Sequence, residues 1–301
     1  MSAEQVTTRR EPAVTGAASA LDYLGYRLQR LPLHVVIIIF CVVWVLPTFG
    51  MVINSFRALP DMQAAGWWTT LFPPHGFTLA SYQQVLQIEG IPTSIVTSIL
   101  ITVPAAVLQL TVATMGAYAF AWMKFPGKNI FFIVIVGLMV VPIQMTLVPL
   151  LTLFKIIHLN GTIASVWLAH TGFGLPFEVF LLRNYLGGLP REIFESAEVD
   201  GAGHAVRFLR IAVPMTLPAI ASLVIFVFLG VWNDLLVALT FLGTSQFAPF
   251  TVKIAQLTTS FGGGWQFLTA AAVMQMALPL AVFIFLQRYF VRGVTAGSVK
   301  G

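Results

Sequence analysis

Residues 33–54 read LHVVIIIFCVVWVLPTFGMVIN, twenty-two positions without a single Asp, Glu, Lys or Arg. An α-helix needs about 20 mostly apolar residues to cross the hydrocarbon core of a bilayer. Arg27 and Arg30 precede the run, as they would in a secretory signal. The apolar stretch is too long for a signal core, however, and no small-residue cleavage site follows, so it reads as an uncleaved anchor. Working outward, comparable stretches recur at 94–122, 130–153, 162–182, 215–242 and 268–289. With 34–55 they predict an all-α membrane protein of six transmembrane helices.

Composition excludes the alternatives. Of 301 residues, 58% are hydrophobic and only 9% are charged, with a mean hydropathy of +0.89. A soluble domain carries about 25% charged residues, so this chain cannot clothe a soluble core. A soluble enzyme, a disordered chain and a nucleic-acid binder are all ruled out, and the partner of the apolar surface is the lipid bilayer. Cys41 is the sole cysteine and lies inside an apolar run, which excludes an intrachain disulfide framework and a cysteine metal cluster.

Cation placement sets the orientation. In a six-span layout, thirteen of the sixteen Lys and Arg residues fall on one side, and only Arg57, Lys155 and Lys253 on the other. Cationic loops stay in the cytoplasm, so both termini are predicted to be cytoplasmic. Residues 1–30 form a cytoplasmic N-terminal tail, expected to be disordered up to Leu21, and 31–301 form the transmembrane domain. The external segment 57–93 carries Trp67, Trp68 and Phe72, suited to the outer interface. Segment 243–267 contains the Gly262-Gly263-Gly264-Trp265 turn, and no internal repeat is visible. Pro104, Pro142, Pro149, Pro176, Pro218 and Pro279 punctuate the spans, either as packing kinks or as breaks beside a cavity.

The cytoplasmic segment 184–214 carries the identity. Residues 189–218 read LPREIFESAEVDGAGHAVRFLRIAVPMTLP. Pro190 suits the first helical position, and Glu192 and Glu195 follow in the opening turn, where the helix dipole favours anions. Gly201 supplies the left-handed residue that ends such a helix. A second short helix, 203–211, is expected to run to Pro214. The product is a helix–turn–helix on the cytoplasmic face with small residues at Ser196, Ala197, Gly201 and Ala202.

This segment closely resembles the EAA loop of binding-protein-dependent ABC importer permeases, whose pattern runs E-A-A, D-G-A and a distant I-x-L-P. The matching positions are Glu195, Ser196, Ala197, Asp200, Gly201, Ala202, Ile211, Val213 and Pro214, with mild departures at Ser196 and Val213. Residues 230–242, GVWNDLLVALTFL, and the terminal QRYFVRGVTAGSVKG resemble carbohydrate-uptake permeases of the maltose-transporter G type. The resemblance covers the chain from about residue 30 to its end. It implies a type I ABC importer permease fold (MetI-like), in the inner membrane of a bacterial or archaeal cell. It also implies a second homologous permease subunit, two ATPase subunits and an extracytoplasmic sugar-binding protein as partners. Within it, Glu195, Ala197, Asp200 and Gly201 dock into an ATPase cleft. The tail 291–301, with Thr295, Gly297 and Lys300, reaches toward the ATPase dimer interface.

The chain lacks chemistry of its own. No G-x-x-x-x-G-K-[ST] is present, so a P-loop is absent, and ATP and Mg belong to partner subunits, with no cofactor bound here. No H-E-x-x-H, G-x-S-x-G or paired His/Cys spacing appears, and the five histidines are scattered singly. Asp234 is the one acid well within a span, and intramembrane acids are functional by default. It is either a substrate-path group, with Trp232, Asn233, Gln144 and Gln275 as further candidates, or a structural hydrogen bond. Glu178, about one turn from the cytoplasmic end of the fourth span, is expected to pair locally or to snorkel, a structural role. The leading expectation is a sugar-importer permease working by alternating access, and the runner-up an ion-coupled secondary transporter. The runner-up wants several intramembrane ionisable groups and related halves, which the sequence does not offer.

Overall fold

A computed structural model describes residues 16–260 and 264–298, with side chains over 31–257 and 264–287. The chain divides into two compact units, Met1–Ile53 and Asn54–Gly301. The first holds most of helix α1 (Gly16–Ser55), whose segment Leu31–Ser55 has a mean hydropathy of 2.7. Its apolar side chains are exposed, Phe40 and Trp44 most of all, as expected of a helix whose solvent is lipid.

The second unit opens with α2 (Leu59–Ala64), a single 3₁₀ turn at Trp67–Thr70 and α3 (Ala80–Gln87). Arg57 anchors this segment: 2% exposed, it donates to Asn54 Oδ1 at 2.9 Å and to the carbonyls of Asp61 and Ala65 at 2.6 and 3.0 Å. The two terminal guanidinium nitrogens thus find neutral acceptors in place of an ion pair, which offsets part of the cost of burying the charge.

Helix α4 (Ile91–Trp122) is the spine. Gly90, at φ +82°, turns the chain into it, and Pro92 sits in its first turn, where no amide partner is lost. Its buried stripe includes Ala105, Ala106, Ala113 and Ala117, small residues that let a second helix approach closely. That helix is α7 (Ile163–Gly187), which begins at a Thr162 cap and contributes Val166, Ala169, Val179, Leu182 and Leu186 to the shared core. Intramembrane hydroxyls are spent on the preceding turn, for example Thr114 onto Leu110 and Thr171 onto Trp167.

Two spans depart from the expected continuous helices. Segment 130–153 is a broken pair, α5 (Lys128–Leu138) and α6 (Ile143–Ile156), bent by 106°. Pro142 lacks an amide proton and disfavours helical geometry at Val141, so the chain turns there and restarts. Segment 215–242 breaks as well, because α10 (Val213–Trp232) stops before Asn233 and a separate α11 (Leu236–Leu242) follows.

At the other end of α10 the difference is of the opposite kind. The loop helix expected at 203–211 is a short α9 (His204–Arg207) that continues without interruption into the span, giving one apolar helix from His204 to Trp232. The join is a π segment at Phe208–Ala212, where the Val213 amide donates to the Phe208 carbonyl. Widening the helix by one residue accommodates Pro214, which has no amide to donate.

Between α7 and α9 lies α8 (Arg191–Val199); α12 (Phe250–Ser260) and α13 (Trp265–Ser298) complete the chain. Helix α10 packs on α13 and α4. Among the described residues five helices are long and apolar enough to cross a membrane, and six segments if the bent pair is one span, which is the number expected from hydropathy. Of the glycine turn expected at 262–265, Gly262 and Gly263 lie outside the described residues.

Candidate functional site

Two sites emerge. The first is the ridge made by α8, the following turn and α9. Pro190 is the residue before α8 rather than its first, so Glu192 alone occupies the opening turn. Phe194 is 2% exposed and stacks face to face on Trp122, the last residue of α4, with ring centroids 3.8 Å apart at 15°. Arg207, also buried, pairs with Glu198 at 2.7 Å and ties α9 to α8. The Tyr118 hydroxyl lies 3.3 Å from the His204 carbonyl and its ring packs against Phe208. The ridge therefore has a buried heel gripping α4 and an exposed crest.

The crest is the turn itself. The Asp200, Gly201 and Ala202 amides donate to the Ser196, Glu198 and Ala197 carbonyls at 3.0, 3.0 and 2.9 Å. Gly201 takes φ +80°, and a Cβ added there would meet nothing within 4 Å. Glu195, Ser196, Val199, Asp200 and Gly201 are exposed, whereas Ala197 and Ala202 are half-buried. Pro214 is exposed in the first turn of α10, away from the crest. The C-terminal residues Thr295 and Gly297 fall within α13, and Lys300 lies outside the described residues.

The second site is a cavity of about 460 Å³ between α4, α6, α7, α10 and α11. At one end Asp234 occupies the break between α10 and α11. Its carboxylate accepts from the Val237 and Ala238 amides at 3.3 and 3.0 Å, and its carbonyl accepts from the Thr251 hydroxyl at 2.9 Å. His170 Nε2 lies 3.7 Å from Asp234 Oδ2 and has no hydrogen-bond partner of its own. At the other end Gln109 Nε2 of α4 donates to Glu178 Oε1 of α7 at 2.5 Å. Glu178 is 2% exposed, and its Oε2 and the Gln109 Oε1 are unpartnered. Gly174 makes this approach possible, since a Cβ there would stand 1.5 Å from Gln109 Nε2. Phe173, Phe177 and Phe226 form the apolar wall, and no Lys or Arg lines the cavity.

Of the sequence candidates, Asp234 and Gln144 line this cavity and Trp232, Asn233 and Gln275 do not. Trp232 and Gln275 hold each other instead: the indole donates to the Gln275 carbonyl at 2.9 Å and the Gln275 amide returns a bond to the Trp232 carbonyl at 3.0 Å. Asn233 is exposed at the end of α10. Sequence reasoning missed His170 as the companion of Asp234, since the two lie on different helices. It also took Glu178 as a local pair, whereas its partner is Gln109, 69 residues away. The available signal was a polar residue inside an apolar run, which both share. No group of three or more His, Cys, Asp or Glu residues that could hold a metal occurs among the described residues.

A bundle of broken apolar helices around a largely apolar cavity with polar groups at its ends, together with a helical ridge, is the build of a solute-transport subunit of a membrane. The chain belongs to the binding-protein-dependent transport system inner membrane component family, whose model matches residues 109–296. It is thus a multi-pass inner-membrane protein. It is similar to the osmoprotective compounds uptake permease protein GgtD of Synechocystis sp., 49% identical over 90% of this chain and 93% of the relative. It is also similar to the alpha-glucoside transport system permease protein AglG of Rhizobium meliloti, 47% identical over 82% of this chain and 68% of the relative. In fold it matches a chain from a crystal structure of a bacterial ABC transporter that imports the acidic polysaccharide alginate. There the TM-score is 0.71 at 19% identity, covering 93% of this chain and all of that one.

Proposed function

We propose that this chain is one of two paired permease subunits of an ATP-driven ABC importer of small neutral glycosides. The observation that carries the reading is the ridge: an exposed left-handed turn at Gly201 whose heel, Phe194, is stacked on the end of the spine helix. Such a crest fits a cleft in a partner, and the stack passes the partner's displacement to α4. Glu195, Ser196, Ala197, Asp200, Gly201 and Ala202 are the proposed docking positions on two ATPase subunits, which supply the ATP and Mg chemistry. Pro214 marks where the ridge re-enters the membrane, and 291–301, including Lys300, extends toward the ATPases. The cation distribution supports cytoplasmic termini, which place the ridge on the ATPase side.

The solute class is supported by the alpha-glucoside role of the relative AglG and by the cavity. Its carboxyls, amides and imidazole are hydrogen-bonding partners for hydroxyls, and its phenylalanines offer faces to pyranose rings. An extracytoplasmic binding protein delivers the sugar, in keeping with the family. The test is reconstitution of the chain with its partner permease, both ATPase subunits and the binding protein. ATP turnover is then measured across glucose, sucrose, trehalose, maltose and maltotriose. At least one sugar is expected to stimulate turnover several-fold. Transport by the purified single chain without ATP would favour an ion-coupled carrier instead.

A further inference from the structure

The cavity has two polar poles, and both sit on α7. His170 faces Asp234 at one, and Glu178 faces Gln109 at the other. Eight residues of helix separate them, about 12 Å at roughly 1.5 Å per residue. One pyranose ring cannot touch both poles, whereas two linked rings can. Between them lie Phe173 and Phe177, with Phe226 across the cavity on α10.

The Glu178 pole is built but unfilled in hydrogen-bonding terms. An acid inside a membrane helix is costly to insert. Here it is 2% exposed and no cation pairs with it among the described residues. Gln109 satisfies one carboxyl oxygen; the other oxygen and the Gln109 carbonyl both lack a partner beside the cavity. Gly174 is the residue that admits this geometry, since any side chain there would push Gln109 off the acid. A pair serving only to hold α4 against α7 would close on itself. This one leaves two buried acceptors on residues that line the cavity, matched to donated hydroxyl protons.

We infer that Glu178 and Gln109 form a second solute subsite that works with the Asp234–His170 pole to select a neutral, two-ring glycoside by length. The inference rests on the sugar-importer reading above. Acidic sugars are disfavoured because the wall holds two acids and no Lys or Arg. A small zwitterion such as glycine betaine is much shorter than the separation of the poles and would engage one of them only. In the proposed orientation Asp234 lies nearer the outside and Glu178 nearer the cytoplasm, so the solute spans the path lengthwise.

The test uses the assembled complex in detergent without the binding protein, probed by equilibrium binding of labelled maltose, sucrose, trehalose, glucose and glycine betaine. The wild type is expected to bind one disaccharide at least tenfold more tightly than glucose or glycine betaine. Glu178→Leu and Gly174→Ala should each weaken that disaccharide at least tenfold but glucose less than threefold, and Glu178→Gln should recover most of the loss. Assembly on size exclusion confirms that each variant folds, and Gly174→Ala removes no polar group, so it serves if Glu178→Leu fails to assemble. Equal weakening of disaccharide and glucose would make the pair structural and overturn the subsite, as would tighter binding of glycine betaine or no binding by a complex that imports sugar. If Asp234→Ala abolishes binding and both Glu178 variants leave it intact, the second pole falls while the importer reading stands. If the wild-type complex imports no sugar in proteoliposomes, the importer reading falls first.

Discussion

At the scale of the residue, Gly201 shows how a backbone conformation becomes a docking feature. Its φ of +80° costs a side-chain-bearing residue about 1–2 kcal/mol, and nothing in this chain stands within 4 Å to clash. Gly201→Glu should therefore leave insertion and folding of the permease intact and abolish capture of the ATPase subunits in a pull-down. Gly201→Ala should weaken capture only modestly. Full capture by Gly201→Glu would mean that the crest does not enter a partner. Asp234 and Gly201 are both legible in the sequence, one as an acid in an apolar run and the other through the D-G-A pattern. His170 and Glu178 are not legible as site residues, since their meaning lies in partners on other helices. Gln109 is legible as an intramembrane amide that faces a polar path or bonds between helices, though its partner is not. Trp232 and Gln275 stand out for polarity, yet the indole N–H and the Gln275 side-chain N–H are used between α10 and α13.

At the scale of the element, hydropathy finds the spans but not their breaks. Residues 130–153 read as one helix, and only the geometry forced by Pro142 reveals the 106° bend. Residues 215–242 read as another, though no proline or glycine marks the break at Asn233–Leu235. There Asp234 caps α11 through its side chain, a bond that competes with continued helix. The ridge was foreseen as a helix–turn–helix, but its union with α10 through a π segment was not. The contact of greatest mechanical consequence, Trp122 on Phe194, joins residues 72 positions apart in sequence. A stacked pair contributes about 1 kcal/mol beyond the area it buries. Trp122→Ala should lower sugar import per ATP hydrolysed by several-fold in proteoliposomes, and Trp122→Phe should restore most of it. An unchanged ratio in Trp122→Ala would show that displacement reaches the spans by another route.

At the scale of the whole molecule, the account places a crest beneath the bilayer that takes up nucleotide-driven motion from neighbouring subunits, and a cavity above it that opens in turn to either side. Composition alone assigns the protein to a membrane, and the loop at 189–218 alone suggests its class. The cavity is invisible in sequence because its lining comes from five helices spread between residues 109 and 237. The sole native thiol, Cys41, permits a direct topological measurement. With Cys41→Ser as background, Asp200→Cys is probed with a membrane-impermeant maleimide in right-side-out and inside-out vesicles holding the assembled complex. The account predicts labelling only in inside-out vesicles, strong protection when the ATPase subunits are present, and a zero-length cross-link to one of them. Labelling from outside, or equal labelling with and without the ATPase subunits, would contradict it.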